Sequence, residues 1–312
     1  MGLLQDLVGV LTGLVVVDRG RIVFQFGDVQ ELSYIASCRK SVLAILYGPW
    51  VVNGVIDLDT TIGELGMDDI AGLLDMEKQA TIRHLITTRS GVYHPSSYTG
   101  ADEKNNPPRG SKEPGTYMLY NNWDFNAAGY LFERLTGRDI YDELQAQLAI
   151  PLQFQDWDRN AQHKDGNLAL SQYPAYPIWL STRDMARIGL LMLNEGTWSG
   201  RQIISPEWAR TITSLVTPLE EMNPAFRREG YLGYGYMWWV MDGPGAEGPF
   251  GGAYWARGYM GQWIAVFPAL DLVIAHKTND VYQRHTSWDS WHRMLELIVA
   301  ARGAAVEEYP WK

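Results

Sequence analysis

The sequence predicts an α+β fold, an α/β sandwich in which both chain ends build one antiparallel sheet flanked by helices. Three observations support this prediction. Short β-branched runs occur near the N-terminus, the middle of the chain is mostly helical in pattern, and short apolar runs between Gly and Pro return after Trp208. We therefore predict a sheet domain from residues 1–58 and 205–312, with a mostly helical domain inserted at 59–204.

The composition indicates a globular protein that does not bind nucleic acid. The chain has 312 residues, of which 46% are hydrophobic and 20% are charged, and its formal net charge is −10. An acidic balance without a Lys/Arg cluster argues against nucleic acid or an anionic membrane surface as a partner. The single cysteine, Cys38, excludes an intrachain disulfide. The six histidines lack the spacing of a metal motif, so we expect neither a metal nor a cofactor.

The first predicted element is a β-hairpin. Leu14–Val17 and Ile22–Phe26 flank a short polar segment with Gly20 in the turn. The preceding residues are apolar, but they carry Asp6 and lack the basic start and small-residue cleavage site of a signal peptide. The chain also has no run of about twenty apolar residues that could cross a membrane. We expect a cytoplasmic protein, although the mature form of an exported protein would show the same features.

Three helices and four strands follow in the prediction. Ser37–Tyr47 is apolar on nearly every side, which predicts burial, and Gly48-Pro49 is predicted to end it. A second helix begins at the cap residue Ser181, and Trp288–Ala301 is a final amphipathic helix. The runs predicted as antiparallel strands are Tyr234–Val240, Ala253–Tyr259, Gln262–Phe267 and Leu272–His276.

The segment Ser37-Cys-Arg-Lys40 carries the first chemical signal, because it is the only Ser-x-x-Lys in the chain. Residues three apart share a helix face with Cβ atoms about 5–6 Å apart, so Lys40 can reach the Ser37 hydroxyl. A serine becomes nucleophilic when an adjacent base takes its proton, and burial near a helix N-terminus lowers the pKa of a lysine toward that role. Taken alone, the tetrapeptide is better explained as a helix cap with a surface lysine than as a nucleophile with its base.

Two further patterns supply complementary groups. Tyr120-Asn-Asn122 is the only Tyr-x-Asn in the chain. A tyrosine beside a lysine can relay protons and an asparagine amide can hold a carbonyl, although a turn with a packed tyrosine also fits. In Ala256–Gln262, glycines within a strand mark the close approach of a ligand or another backbone. The Tyr259 N–H is expected to form half of an oxyanion hole, with the Ser37 N–H as the other half.

Together these motifs resemble the serine β-lactamase-like superfamily, in an order and spacing that cover nearly the whole chain. The closest branches are class C β-lactamases, family VIII carboxylesterases and 6-aminohexanoate-dimer hydrolases. The resemblance implies a β-lactamase/transpeptidase-like fold with the active site in the cleft between the domains. It also implies that Ser37 is acylated, that Lys40 is its base partner, that Tyr120 joins the proton relay, and that Asn122 positions the substrate. The segments that carry the resemblance are Ile35-Ala-Ser-Cys-Arg-Lys-Ser-Val42, Leu85-Ile-Thr-Thr-Arg-Ser-Gly91, Tyr120-Asn-Asn-Trp-Asp-Phe-Asn126, Gly233-Tyr-Gly-Tyr-Met-Trp-Trp239 and Arg257-Gly-Tyr-Met-Gly-Gln262.

One departure from the superfamily pattern bears on the substrate. Penicillin-recognising members carry Lys-Thr-Gly or His-Thr-Gly on the third strand, where this chain has Ala256-Arg-Gly258. The cation that helps hold the β-lactam carboxylate is missing at the first position, and strand alternation is expected to point Arg257 to the opposite face. The Gly-x-x-Gly-Gln form resembles the nylon-oligomer hydrolase and esterase branches more, which argues against efficient β-lactam turnover.

Four further residues are candidates for contact with the substrate. Tyr93 and His94 follow a Ser-Gly turn that the resemblance places near the cleft, and a satisfied loop histidine is the alternative for His94. Trp179 lies in a loop of the kind that sets substrate choice in the superfamily, and Gly258 lies in the third strand. Aromatic residues are frequent in all these segments, which predicts a pocket walled by rings, poor in fixed cations and suited to apolar acyl groups.

We therefore expect a serine hydrolase that cleaves esters or amides of small, largely apolar substrates through an acyl-enzyme on Ser37. It would be a carboxylesterase or a 6-aminohexanoate-oligomer-type amidase, and its partner would be a small-molecule ester or amide substrate. The sequence leaves the oligomeric state open, and a homodimer is one of the options. One alternative is a β-lactamase or D-amino-acid peptidase. Another is a catalytically silent binding protein on the same scaffold, which the intact set Ser37, Lys40, Tyr120 and Asn122 argues against.

Overall fold

Strands from both ends of the chain form one seven-stranded antiparallel sheet in the computed structural model, which describes residues 11–100, 103–303, 306 and 309–312. The described residues contain eleven strands, of which seven form this main sheet and four form two separate pairs. In chain order they are β1 (Gly13–Asp18), β2 (Arg21–Gly27), β3 (Ser33–Tyr34), β4 (Trp179–Leu180), β5 (Thr197–Trp198), β6 (Arg201–Gln202), β7 (Leu232–Tyr234), β8 (Trp239–Met241), β9 (Tyr254–Gly258), β10 (Gln262–Phe267) and β11 (Leu272–Lys277). The main sheet has the order β2-β1-β11-β10-β9-β8-β7, while β3 pairs with β4 and β5 with β6. The predicted fold class is confirmed.

The N-terminal hairpin forms as predicted and supplies one edge of the sheet. Arg19 and Gly20 make the turn with φ of 50° and 72°. β1 is buried, whereas the edge strand β2 exposes Ile22, Val23 and Phe24. The pairing of β1 with β11 joins the two chain ends in a single core.

Seven α-helices accompany the sheet in the described part of the chain. They are α1 (Cys38–Val52), α2 (Ile82–Ile86), α3 (Asn122–Thr136), α4 (Ile140–Leu144), α5 (Thr182–Leu193), α6 (Pro206–Ile212) and α7 (Trp288–Ala301). α1 packs on β9 and β10, and α5 packs on β1, β10 and β11. α5 begins as predicted at Ser181, whose side chain accepts a hydrogen bond from the Asp184 N–H. Within the described ranges, every helix is too short or too polar to cross a membrane.

The predicted end of the first helix is wrong, because α1 continues through Gly48 and Pro49 to Val52. Gly48 serves packing: a Cβ there would lie 2.6 Å from the Trp208 ring of α6, and the Trp208 indole N–H donates to the Ala44 carbonyl at 2.9 Å. Pro49 removes one intrahelical N–H. The burial of α1 and its contact with α6 outweigh this local stop signal.

The prediction of a single strand over Tyr234–Val240 is also wrong. β7 ends at Tyr234, the chain reverses, and β8 begins at Trp239. Gly235 N–H donates to the Trp238 carbonyl at 2.8 Å, and Met237 adopts a left-handed φ of 61°. The Ser41 hydroxyl of α1 donates to the Met237 carbonyl at 2.6 Å. The turn is therefore stabilised by a long-range hydrogen bond, which a local pattern cannot reveal.

Candidate active site

The turn that leads from β3 into α1 presents Ser37. Ile35 N–H donates to the Ile178 carbonyl at 3.0 Å, and Ala36 is left-handed with φ of 48°. Such a conformation is costly for a residue with a Cβ and occurs mainly where the surrounding structure demands it. Ser37 is helical at the N-cap, and its side chain makes no capping hydrogen bond. Its hydroxyl is therefore not used as a helix cap, which was the alternative interpretation of this motif.

Lys40 is the centre of a buried polar cluster. Its Nζ lies 3.1 Å from Ser37 Oγ, 2.6 Å from Tyr120 OH and 2.7 Å from Asn122 Oδ1. The side chain is only 2% exposed, so Lys40 is not a surface lysine. Its Nζ also lies 4.4 Å from the centre of the Phe125 ring. The two unique motifs of the sequence thus meet at the amino group of Lys40.

The start of α3 orients the asparagine of this cluster. Asn121 caps the helix, since its Oδ1 accepts from the Trp123 N–H at 3.0 Å. Asn122 Nδ2 donates to the Tyr98 carbonyl at 3.0 Å. Because the amide nitrogen is used in this way, Asn122 Oδ1 faces Lys40.

Tyr120 is packed by other rings. It stacks on Trp239 with 5.5 Å between ring centres and contacts Tyr234 edge-on at 6.0 Å. Burial raises the pKa of Tyr120 to about 12, although hydrogen bonding to Ser37 and the positive charge of Arg39 act in the opposite direction. The phenol is therefore protonated at neutral pH.

The end of β9 lies against the turn that carries Ser37. A Cβ on Gly258 would be 2.6 Å from the Ile35 carbonyl oxygen and 3.1 Å from Ala36 Cβ, so only glycine permits this approach. The next residue, Tyr259, exposes 73% of its surface, so its side chain contributes little packing. The contact of Gly258 with Ile35 and Ala36 places the backbone at the end of β9 beside the turn that carries Ser37.

The turn after Gly258 is held by three hydrogen bonds that the sequence did not reveal. The Met260 carbonyl accepts from Thr278 Oγ1 at 2.9 Å and from the Thr286 N–H at 3.1 Å. His276 Nδ1 lies 2.6 Å from the Gly261 carbonyl, so this nitrogen carries the proton. Burial lowers the pKa of His276 to about 4, so the ring is neutral. No sequence motif marks these residues, because the contacts join segments distant along the chain.

A buried lysine, Lys277, forms hydrogen bonds that hold β3, the strand that precedes Ser37. Lys277, at the end of β11, donates to the carbonyls of Ser33 in β3 and Leu180 in β4. Burial lowers the pKa of Lys277 to about 7. The pair β3–β4 is thereby tied to the main sheet through a group that titrates near neutral pH.

These residues open into a cleft of about 660 Å³. The predicted site residues in its lining are Ser37, Tyr120, Asn122, Gly258 and Tyr259. In the described part of the chain, no three His, Cys, Asp or Glu side chains are grouped so that they could hold a metal ion. The arrangement offers a hydroxyl, an amine and a phenol in contact at the wall of a cleft.

Three of the predicted substrate contacts lie elsewhere, since Tyr93, His94 and Trp179 are absent from the described lining of this cleft. His94 is 2% exposed, and its ring nitrogens contact the carbonyls of Pro95 and Ile70 at 2.8 and 2.6 Å. Tyr93 is buried beside it, and burial raises the pKa of its phenol. The chain after the Ser-Gly turn runs into the interior, where His94 is a buried loop residue and Asp69 Oδ2 also lies 3.4 Å from its Nδ1.

Trp179 lies one ring behind the cleft. Its ring stacks on His163 with 4.5 Å between centres and contacts Tyr34 at 5.7 Å. Tyr34 is the residue of this group that lines the cleft. Trp179 therefore packs Tyr34 from behind and does not contact the cavity.

Two arginines, Arg257 and Arg227, also line the cleft. Two predictions are therefore wrong, namely that Arg257 points away from the cleft and that the pocket is poor in fixed cations. Arg257 shares a sheet face with Trp255, as alternation predicts, but β9 ends one residue later and the long side chain reaches the cleft. Its guanidinium lies 4.5 Å from the Trp239 ring centre. Arg227, which no sequence signal marked, lies 5.1 Å from the same ring and also lines the cleft. The pocket is walled by rings but is not poor in fixed cations.

Comparison with known proteins identifies relatives over most of the chain. The family model described as Beta-lactamase matches residues 4–293. An uncharacterised protein of Alkalihalophilus pseudofirmus is 23% identical over 271 residues, which are 79% of this chain and 73% of that protein. Monacolin J acid methylbutanoyltransferase of Aspergillus terreus is 29% identical over 166 residues, which are 43% of this chain and only 40% of the fungal protein.

Solved structures share the fold at low sequence identity. A Bacillus anthracis protein assigned as a 6-aminohexanoate-dimer hydrolase has a TM-score of 0.70 and 20% identity, with coverage of 98% of this chain and 82% of that one. A β-lactamase from Mycobacterium bovis has a TM-score of 0.65 and 18% identity, with coverage of 96% and 98%. A penicillin-binding protein from Bacillus halodurans has a TM-score of 0.67 and 16% identity, with coverage of 95% and 98%.

Proposed function

This chain belongs to the beta-lactamase family, whose members are serine hydrolases, and on that premise we propose that it cleaves esters or amides through an acyl-enzyme on Ser37. The observation that carries the proposal is the contact of Lys40 Nζ with both Ser37 Oγ and Tyr120 OH. A serine hydroxyl needs an adjacent base before it can attack a carbonyl, and this cluster supplies one at hydrogen-bond distance.

In the amine form, Lys40 is suited to accept the proton of Ser37. A neutral amine has one lone pair, and Ser37 Oγ lies 3.1 Å from Nζ, which is within reach for transfer of the hydroxyl proton. Tyr120 stays protonated at neutral pH because burial raises its pKa to about 12. This favours Lys40 as the first acceptor and Tyr120 as the group that passes a proton to the leaving group.

The oxyanion formed by attack is assigned to two backbone groups. Gly258 packs against the turn before Ser37, and this contact supports the pairing of the Ser37 N–H with the Tyr259 N–H. Such donors stabilise the charge that develops on the carbonyl oxygen. A water molecule then attacks the acyl-enzyme, and the same relay returns the proton to Ser37.

Hydrolysis of 4-nitrophenyl butyrate tests this proposal. Ser37→Ala is expected to lose activity by up to about 10⁶-fold in kcat, since the nucleophile is removed. Ser214→Ala is the matched control, because Ser214 is exposed outside the lining of the cleft and its hydroxyl donates locally to the Thr211 carbonyl at 2.8 Å. A Ser37→Ala protein that hydrolyses the ester at the parental rate would refute the assignment.

A second candidate is acyl transfer to an alcohol in place of water. It is favoured by the 29% identity to monacolin J acid methylbutanoyltransferase, a protein named for acyl transfer. The same acyl-enzyme on Ser37 serves both outcomes, and the acceptor decides between them. With a simple alcohol present, formation of a new ester in preference to free acid would support transfer.

The β-lactamase and D-amino-acid peptidase alternatives use the same serine and are tested on the same preparation. Nitrocefin turnover comparable with ester turnover would favour the first, and release of a terminal D-amino acid would favour the second. A silent binding protein is the remaining alternative. It would show no turnover of any of these substrates and no mass shift with a fluorophosphonate.

A further inference from the structure

Arg39 precedes Lys40 on α1 and is buried with it. The Arg39 side chain is 2% exposed and is absent from the described lining of the Ser37 cleft. Its Nη2 donates to Asn126 Oδ1 at 3.2 Å, and its guanidinium lies 4.3 Å from the centre of the Tyr176 ring. Within the described ranges Arg39 forms no ion pair, and its Nη1 is buried without a hydrogen-bond partner. The charge of Arg39 is therefore met by neutral groups.

Two asparagines of α3 contact these two consecutive basic residues of α1. Asn122 Oδ1 lies 2.7 Å from Lys40 Nζ, and Asn126 Oδ1 accepts from Arg39. Residues four apart share a helix face with Cβ atoms about 5–6 Å apart, so the two basic groups lie roughly one helical turn from each other. Both acceptors are neutral amides. An aspartate of the same shape at position 126 would form an ion pair with Arg39 and compensate its charge.

The charge of Arg39 acts on the cluster around Lys40. It lowers the pKa of Tyr120 against the larger effect of burial, and the Tyr120 hydroxyl lies 2.6 Å from Lys40 Nζ. A like charge disfavours the protonated form of a nearby amine, and the effect is strong in the interior because water screens it less. A buried cation that no carboxylate compensates costs stability, and ionisable groups in such environments are frequent at functional sites.

We propose that Arg39 keeps Lys40 in the amine form that accepts the Ser37 proton, and that the neutral amide of Asn126 preserves this effect. The inference rests on the proposed function for the role of Lys40 as a base. Arg39 lies outside the described lining of the cleft, so it acts through Lys40 and is a positioning residue, not a catalytic one. The Asn126 amide holds the guanidinium in place and leaves its charge uncompensated.

Other ionisable groups surround Lys40, and the variants below leave them unchanged. The Glu103 carboxyl group opposes Arg39, because a negative charge favours the ammonium form of Lys40; burial raises the pKa of Glu103, and Lys40 lowers it. Arg227 lies 5.9 Å from the centre of the Tyr120 ring. The titratable and charged groups around Lys40 and Arg39 in the described part of the chain include Tyr34, Tyr120, Tyr176, Glu103, Arg227 and Arg257.

The pH dependence of kcat/KM for 4-nitrophenyl butyrate tests the proposal in turnover. Acylation needs the amine form of Lys40, so kcat/KM falls on the acidic side of the Lys40 pKa. In Arg39→Gln the Lys40 ammonium loses a neighbouring like charge, so its pKa rises. The acidic limb of the profile is then expected to move to higher pH by about one to two units. Asn126→Asp should move the limb in the same direction, because the new carboxylate compensates Arg39.

Two controls separate the effect of charge from the effect of packing. Asn126→Ala removes the amide without adding a charge, and Arg210→Gln removes the charge of an exposed arginine that is paired with Glu195. Both are expected to keep the acidic limb of the wild type. If circular dichroism shows that Arg39→Gln does not fold, the comparison of Asn126→Asp with Asn126→Ala decides. An acidic limb at the same pH in the wild type and in Asn126→Asp would overturn the proposal.

NMR titration of Lys40 separates this inference from the proposed function, because it needs no turnover. Lysine labelled with ¹³C at Cε is incorporated, and the Lys40 signal is identified by its absence from Lys40→Met. The Lys40 pKa should be about one to two units higher in Arg39→Gln and Asn126→Asp than in the wild type. Ester hydrolysis that depends on Ser37, together with an unchanged Lys40 pKa, would refute the role of Arg39 and support the hydrolase. A raised Lys40 pKa without ester hydrolysis by the wild type would support the effect of Arg39 on Lys40 and refute the hydrolase.

Discussion

Replacement of Gly258 by alanine should disturb catalysis more than folding. Gly258 has no side chain at the point where the end of β9 meets the turn before Ser37. The added Cβ would lie 2.6 Å from the Ile35 carbonyl oxygen, 2.8 Å from Gln262 Cβ and 3.1 Å from Ala36 Cβ. Two of these atoms belong to the segment that positions the Ser37 N–H, so relief of the clash moves that segment away from residue 259.

The size of the effect follows from the overlap. Carbon atoms prefer to be about 3.5–4.0 Å apart, so the 3.1 Å contact with Ala36 Cβ alone requires the two backbones to separate by roughly 0.4–0.9 Å. Catalytic groups need to be held within about 0.5 Å of their productive positions. Loss of one oxyanion donor costs about 10²–10³ in kcat, or roughly 3–4 kcal/mol in the barrier. We expect kcat of Gly258→Ala to fall about 10²-fold, while overpacking lowers the free energy of unfolding by only about 1–3 kcal/mol.

The assay is steady-state hydrolysis of 4-nitrophenyl butyrate, with urea unfolding of the same preparations. Gly63→Ala is the matched control, because its Cβ would lie 2.9 Å from the Lys78 carbonyl, outside the lining of the cleft. That variant should lose stability to a similar degree and keep its kcat. If Gly258→Ala retains kcat within about threefold of the wild type, the assignment of the Tyr259 N–H to the oxyanion hole is refuted.

Three other predictions concern single side chains. Tyr120→Phe keeps the packed ring but removes the relay hydroxyl, so kcat for the butyrate ester should fall by about 10²–10⁴ with an unchanged thermal midpoint; unchanged kcat would contradict the relay. His94→Ala should lower the free energy of unfolding by about 1–3 kcal/mol and leave KM unchanged, because the buried His94 ring contacts backbone carbonyls outside the lining of the cleft; a large change in KM would contradict this placement. Lys277 has a folded-state pKa of about 7, below its unfolded value near 10.4, so the unfolded chain binds more protons in that window. Relative to Lys277→Met, the wild type should therefore gain up to about 1.4 kcal/mol of stability per pH unit above pH 7, measured by urea titration; a pH-independent difference would contradict the shift.

The parts of the fold that could be predicted are those with local signals. The hairpin at Gly20, the cap at Ser181 and the helix Trp288–Ala301 each depend on turn chemistry or periodicity within a few residues. The helix through Pro49 and the reversal before Trp239 could not, because packing by Trp208 and a hydrogen bond from α1 decide them. Tertiary contacts of this kind have no local pattern.

The candidate site divides in the same way. The unique spacings of Ser37 with Lys40 and of Tyr120 with Asn122 pointed to one cluster, and the structure brings all four side chains together. The walls of the cleft had no such signal. Arg227 reaches the cleft from the 3₁₀ helix Ala225–Glu229, far along the chain. Tyr93 and His94 turn inward, although the resemblance placed their segment near the site.

The proposal that Ser37 is the acylated nucleophile is tested most directly by covalent labelling. The protein and its Ser37→Ala variant are incubated with a fluorophosphonate, and the adduct is located by mass spectrometry of proteolytic peptides. We expect one adduct on the wild type, on the peptide that contains Ser37, and no adduct on the variant. An adduct at another residue, equal labelling of Ser37→Ala, or no labelling of the wild type would contradict the account.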